Sequence, residues 1–111
     1  MQTAEIELPK KSPNEKDIRT SLATGDASSF DLIWEQFATD LLGFITAIMC
    51  SRSDAEDCLQ EVFILIARKH TKIARAKNLK AYLFKMARNV ALNHLKKERR
   101  RQTRDQAAAT D

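Results

Sequence analysis

Tyr82, Lys85, Asn89, Asn93 and Lys96 follow one another at intervals of three, four, four and three residues. If that stretch is a helix, they share one side of it. The chemistry such a set supports is recognition rather than bond-making. An Asn amide both donates and accepts, and so suits the edge of a nucleobase. An aromatic ring stacks on an unpaired base. Lys and Arg displace counterions from phosphates, which supplies affinity without sequence information. Five of the six residues from Lys96 to Arg101 are cations. A basic amphipathic helix fits two other partners as well, a membrane surface or an acidic protein.

A second set lies upstream and has the opposite sign. At about 100° per residue, Asp54, Asp57 and Glu61 fall opposite the apolar line Ala55, Leu59, Val62 and Ile66. Ile64 sits beside those carboxylates, and an apolar residue amid charge fits the centre of a polar-rimmed protein contact. The two sets reflect a division of the whole chain. Residues 1–67 hold twelve acids against five bases, and residues 68–104 hold fourteen bases against one acid, Glu98. The net charge of +4 conceals this. Segregation on that scale predicts one protein-facing surface and one polyanion-facing surface.

Catalytic arrangements are not evident. The sequence has no Gly-rich phosphate loop, no nucleophile spaced with a base, and no carboxylate pair set for acid–base work, so it reads as a binding protein and not an enzyme. Cys50 and Cys58 form no metal-ligand spacing with His70 or His94. They read as buried, reduced thiols, and neither a metal nor a cofactor is expected.

The elements that position these residues follow from periodicity and punctuation. With 111 residues, two Gly, two Pro and 43% apolar residues, the chain makes at most one small helical domain. Residues 1–14, polar and containing both prolines, read as a flexible tail. A short helix is expected from about Asn14 to Ala23, ending near Gly25. Asp26 or Ser28 then caps a long helix with a seam of Phe30, Trp34, Phe37, Leu41, Phe44 and Ile48, all taken as core. Ser53 with Glu56 has the spacing of a capping box for the next helix. His70–Lys77 reads as a loop or irregular turn. Asn78 caps a last helix whose core stripe is Leu79, Leu83, Met86 and Val90, and the pattern runs to about Arg101. The expected fold is all-α, a compact bundle of three to four helices over residues 15–102, with 103–111 as a polar tail or the start of an interdomain linker. No apolar run reads as a membrane span and no leader precedes the domain, which points to a soluble, cytoplasmic protein.

Taken together, the last two helices carry a resemblance. DAEDCLQEVFILIARK followed by NLKAYLFKMARNVALNHLKKERR resembles region 2 of the extracytoplasmic-function sigma factors, promoter-specificity subunits of bacterial RNA polymerase. That family has a D-A-E-D-x-x-Q-E-x-F segment, a short loop, an aromatic-L-aromatic-x-x-A-x-N segment and a basic tail. The upstream GDASSFDLIWEQFATDLLGFI is similar to the family's leading helix, so the likeness covers roughly residues 20–102. The resemblance implies that Asp54, Asp57, Gln60 and Glu61, with Ile64, face the clamp helices of the polymerase's largest subunit. It implies that Asn89 contacts an extruded base of the non-template strand of the promoter −10 element. Tyr82 would stack, and Lys85, Arg88, Lys96, Arg99 and Arg100 would hold the backbone beside Asn93. Extruding a base costs a few kcal/mol, so a pocket must capture it.

The chain departs from the family in three places. Tyr82 stands where Trp is common, and IARA (Ile73–Ala76) stands where the loop commonly carries an aromatic and a Gly-Asp pair. The second domain that reads the −35 element in family members is absent from this sequence, and Gln102–Asp111 reads as the beginning of a linker to one. These departures keep two alternatives open. One is a sigma-like interaction module, a decoy or the partner of an anti-sigma protein, without sequence-specific DNA binding. The other is a nonspecific basic DNA binder. An anti-sigma partner is plausible on family grounds alone.

Overall fold

In the computed structural model, residues 15–110 are described, with side chains as far as Gln106. The expected tail at residues 1–14 lies outside them. Among the described residues the chain is entirely helical, as expected, with no strand; five helices form rather than three or four. They are α1 (Glu15–Thr24), α2 (Ala27–Met49), α3 (Arg52–Arg68), α4 (His70–Ala74) and α5 (Leu79–Thr110).

Local chemistry sets most of the boundaries. Gly25 takes φ +75° at the end of α1, a conformation in which a Cβ is strained. Asp26 then caps α2, its carboxylate accepting from Ser28 N at 3.1 Å. The buried Ser29 hydroxyl donates back to Asp26 O at 2.7 Å. Cys50 ends α2 in the left-handed region, φ 57°. The cap of α3 is Ser51, not Ser53: Ser51 Oγ accepts from Asp54 N at 3.3 Å. Ser53 lies inside the first turn, and Glu56 pairs with Arg52 Nε at 3.2 Å rather than closing a capping box. At α5, Asn78 Oδ1 accepts from Ala81 N at 2.9 Å, as its position predicts.

α2 and α3 form the central hairpin, and α5 packs against both. The core is contiguous and draws on every helix, with Ile18, Leu22, Ile33, Leu41, Ile45, Ile66, Ile73 and Leu83 fully buried. The α5 stripe of Leu79, Leu83, Met86 and Val90 is buried as expected, with Phe84 and Leu95 packed at its edge. An edge-on contact between Phe44 and Phe84, 5.2 Å between ring centroids, pins α5 to α2.

The seam of α2 differs from its expected phase. The buried line is Ile33, Phe37, Leu41 and Ile45, while Phe30, Phe44 and Ile48 are only partly buried and Trp34 is 48% exposed. α2 carries apolar residues around most of its circumference, so period alone does not select a face. The packing of α3 and α5 selects it. The same apolar richness makes α2, at 23 residues, long and apolar enough to cross a membrane by length and composition, contrary to the reading that no run qualifies. Its inner line of Ile33, Phe37, Leu41 and Ile45 is buried against the other helices.

Two further expectations change. The segment at 70–77 is not simply a loop: His70–Ala74 forms α4, because Ile73 is fully buried and holds the turn against the core. α5 does not stop near Arg101 but continues to Thr110, about 48 Å in all at 1.5 Å per residue. Its last turns, rich in Arg, Gln and Ala, are good helix formers that need no core contact.

Candidate functional site

The outward side of α5 is built from residues that the core stripe leaves over. Tyr82, Lys85, Asn89, Asn93, Lys96 and Arg100 fall within an arc of roughly 80° at 100° per residue. Tyr82 is partly buried with its ring packed on the core, and the others are exposed. Tyr82, Lys85 and Asn89 meet at a recess of about 210 Å³ that Met86 and Lys69 complete. That is below the roughly 300–1,000 Å³ of a typical small-molecule site, so it suits a single planar group. Asn93, Lys96 and Arg100 continue along the same side beyond the recess. Arg99 meets Asn89, Asn93 and Lys96, with Leu92 and Leu95, at a second recess of about 450 Å³, whereas Arg88 lies about 100° around the helix from Asn89, on the flank that carries the 36%-exposed Leu92.

Lys69 was not legible as a site residue. It caps the C-terminus of α3, its N–H donating to Leu65 O at 2.9 Å, and leads into α4, so the packing of α3 and α4 against α5 brings it to the recess. Its charge is the sole sequence signal, and the four bases of the HTKIARAK stretch that follows it, His70 included, carry the same one.

The polar groups at this edge are unspent. Among the described residues the side-chain amides of Asn89 and Asn93 make no hydrogen bond, and Lys85, Arg88, Lys96, Arg99 and Arg100 stand in no ion pair. Arg101 differs, because Glu98 pairs with it at 2.6 Å and raises its pKa further. An edge of free amides and cations is set to bind something outside the molecule, and phosphates and base edges match its donors and acceptors.

The acidic set occupies the exposed side of α3. Asp57, Gln60 and Glu61 are exposed, Asp54 is partly so, and Ile64 is 52% exposed among them. Ala55, Cys58, Leu59, Val62 and Ile66 anchor the other side in the core. The carboxylates are felt through the helix. The Cys58 thiol is pushed up to about 11, first by burial and then by Glu61, Asp54 and Asp57. Cys58 is therefore a buried thiol, as expected, whereas Cys50, expected to be buried, is exposed because the left-handed turn after α2 turns it outward.

One apolar feature adjoins this face. Trp34 of α2 lies 4.9 Å, centroid to centroid, from Phe63 of α3. Phe63, partly buried, and Ile64 are neighbours on α3, so the exposed Trp34 ring lies near the acidic side.

The two faces are thus distinct surfaces of one bundle, negative on α3 and positive on α5. No curated protein and no solved structure matches the chain. Residues 33–101, from the first turns of α2 through the basic part of α5, match the family model for sigma-70 region 2. That match covers more than half of the sequence and includes both faces, and so the chain belongs to the sigma-70 region 2 family.

Proposed function

We propose that this chain is the core-binding and promoter −10-recognising domain of a sigma factor of the extracytoplasmic-function type. The observation that carries the reading is the recess of Tyr82, Lys85, Asn89 and Lys69, on a helix whose opposite side is core. Tyr82 offers a ring face, Asn89 a donor and an acceptor, and the two lysines charge for the flanking phosphates. A flipped base of the non-template strand would enter there, with Asn93, Lys96 and Arg100 guiding the backbone along α5. Arg99 would join them from the adjoining recess, and Arg88 would act from the flank. The protein performs no covalent chemistry and uses no cofactor; binding energy offsets the few kcal/mol of base extrusion. Asp54, Asp57, Gln60 and Glu61 would face the clamp helices of the polymerase's largest subunit, with Ile64 as the apolar centre. Such a protein works in the bacterial cytoplasm.

The test is binding of the chain to a single-stranded non-template −10 oligonucleotide and, separately, to a clamp-helix fragment. An Asp57→Lys, Glu61→Lys double variant should lose the fragment while keeping the oligonucleotide. Unchanged fragment binding by that variant would remove the interface assignment.

A second reading has one observation in its favour. Where the family's loop commonly carries an aromatic, Ile73 is turned wholly into the core and Ala74 and Ala76 are partly buried. Of Ile73–Ala76 only Arg75 is left exposed. A protein-interaction module, a decoy or the partner of an anti-sigma protein, needs no base-reading loop. It predicts tight clamp-fragment binding with no preference among −10 sequences. The nonspecific binder instead predicts equal affinity for unrelated duplexes with a steep salt slope.

A further inference from the structure

α4 cannot hold itself. Five residues are far fewer than the roughly twelve to fifteen at which a free helix becomes even marginal, and no side chain caps its N-terminus. Its packing is chiefly against α1 rather than against α3 or α5. Ile73 is buried in the same cluster as Ile18 and Leu22 of α1.

Two polar tethers bracket that contact. At the first residue of α4, His70 Nδ1 lies 2.6 Å from Leu22 O. A carbonyl only accepts, so Nδ1 carries the proton and donates it. At the last residue, Arg19 Nη1 donates to Ala74 O at 2.9 Å, and three residues beyond it Nη2 donates to Lys77 O at 3.2 Å. Glu15 steadies the guanidinium, accepting from Nε at 2.9 Å and Nη2 at 2.6 Å. Helix C-termini leave carbonyls without partners, and here a residue more than fifty positions upstream supplies the donors. Gly25 completes the joint: a Cβ there would stand 3.1 Å from His70 Cε1.

Lys69, which immediately precedes His70, walls the recess. α1 lies outside residues 33–101, the part of the chain that the family model matches. We infer that α1 is a positioning element for the recess: Arg19 and His70 fix both ends of α4, and α4 fixes Lys69 against Tyr82 and Asn89. The geometry of the site is thereby set from outside the family region. This inference rests on the reading of the recess as the strand-binding site.

The test uses the full 111-residue chain with Arg19→Ala, Arg19→Lys, Lys69→Ala and the Arg19→Ala, Lys69→Ala pair. Arg19→Ala should weaken the −10 oligonucleotide about five- to ten-fold, the scale of one lost hydrogen-bonding partner, and leave the clamp fragment unchanged. In the Lys69→Ala background the Arg19 effect should shrink to less than about two-fold, because the two act in series. Arg19→Lys keeps the charge but loses the two-pronged fork, and should stay defective. Full rescue by Lys, independent effects of the two positions, or a parallel loss of clamp binding would each overturn the inference. Hydrogen exchange separates it from the functional reading. Amides of residues 70–77 should exchange faster in Arg19→Ala while those of α3 do not. If the unmodified chain ignores the oligonucleotide, the functional reading fails, and unchanged exchange at 70–77 would still refute the positioning role by itself.

Discussion

Replacing Asn89 with Ala separates fold from function at a single atom group. Asn89 is exposed, on the outward side of a 32-residue helix, and its amide makes no hydrogen bond among the described residues. Its removal leaves no partner orphaned and opens no cavity. Asn is a weaker helix former than Ala by about 0.5 kcal/mol, so the variant should be as stable as the parent or slightly more so. For a domain of this size that corresponds to a melting temperature unchanged or raised by about 2–4 °C. The functional cost runs the other way. If Asn89 pairs with a base edge through both its donor and its acceptor, losing it removes about 1–3 kcal/mol of discrimination. At 1.4 kcal/mol per factor of ten, the preference for the matched −10 strand over one with the contacted base changed falls roughly 5- to 150-fold. Affinity for unrelated single strands, carried by Lys85, Lys96 and Arg100, should hardly move. The assay is competition binding of paired oligonucleotides at one fixed salt concentration, with thermal melting alongside. A stable variant that discriminates as well as the parent would refute the assignment of Asn89 to a base, and would favour the interaction-module reading.

Four other outcomes follow from the packing. Ile73→Ala should cost about 2–5 kcal/mol, since Ile73 is fully buried, and denaturant titration should show a lower midpoint with an unchanged slope. Gly25→Ala should destabilise by about 1–3 kcal/mol, through a left-handed alanine and the displaced His70 ring; a neutral melting curve would contradict the joint described between α1 and α4. The native protein at pH 8 should take one alkylating label, at exposed Cys50, and two in denaturant, read by intact mass. The buried Cys58 thiol, raised to about 11, binds its proton more tightly folded than unfolded. Stability should therefore fall as pH rises from about 9 towards 11, and Cys58→Ala should blunt that loss.

How much of this was legible in the residues varied with the neighbourhood of each. α5 was read nearly complete: its core stripe, its Asn78 cap and its outward polar set all fall where a 3.6-residue period puts them. That helix has one narrow apolar face, so its azimuth is fixed by its own sequence. α2 has no such asymmetry, and Trp34 was placed in a core that does not contain it. Cap chemistry is local, yet two serines two residues apart left α3 with two possible starts. Ser51 prevailed because Cys50 in the left-handed region leads directly into an extended Ser51. α4 was missed because nothing within five residues stabilises it.

By itself, then, the sequence determined the helical class, the division of charge between α3 and α5, and the identity of most residues on both faces. Each of these depends on contacts within one helix or on composition, and needs no knowledge of the neighbours. The tertiary structure decided which side of α2 is inside, that Lys69 stands at the recess with Tyr82 and Asn89, and that Arg19 and His70 tether α4 to α1. Those facts join residues roughly 13 to 58 positions apart. Only the packing of one buried face against another brings such pairs together, and no local period encodes it.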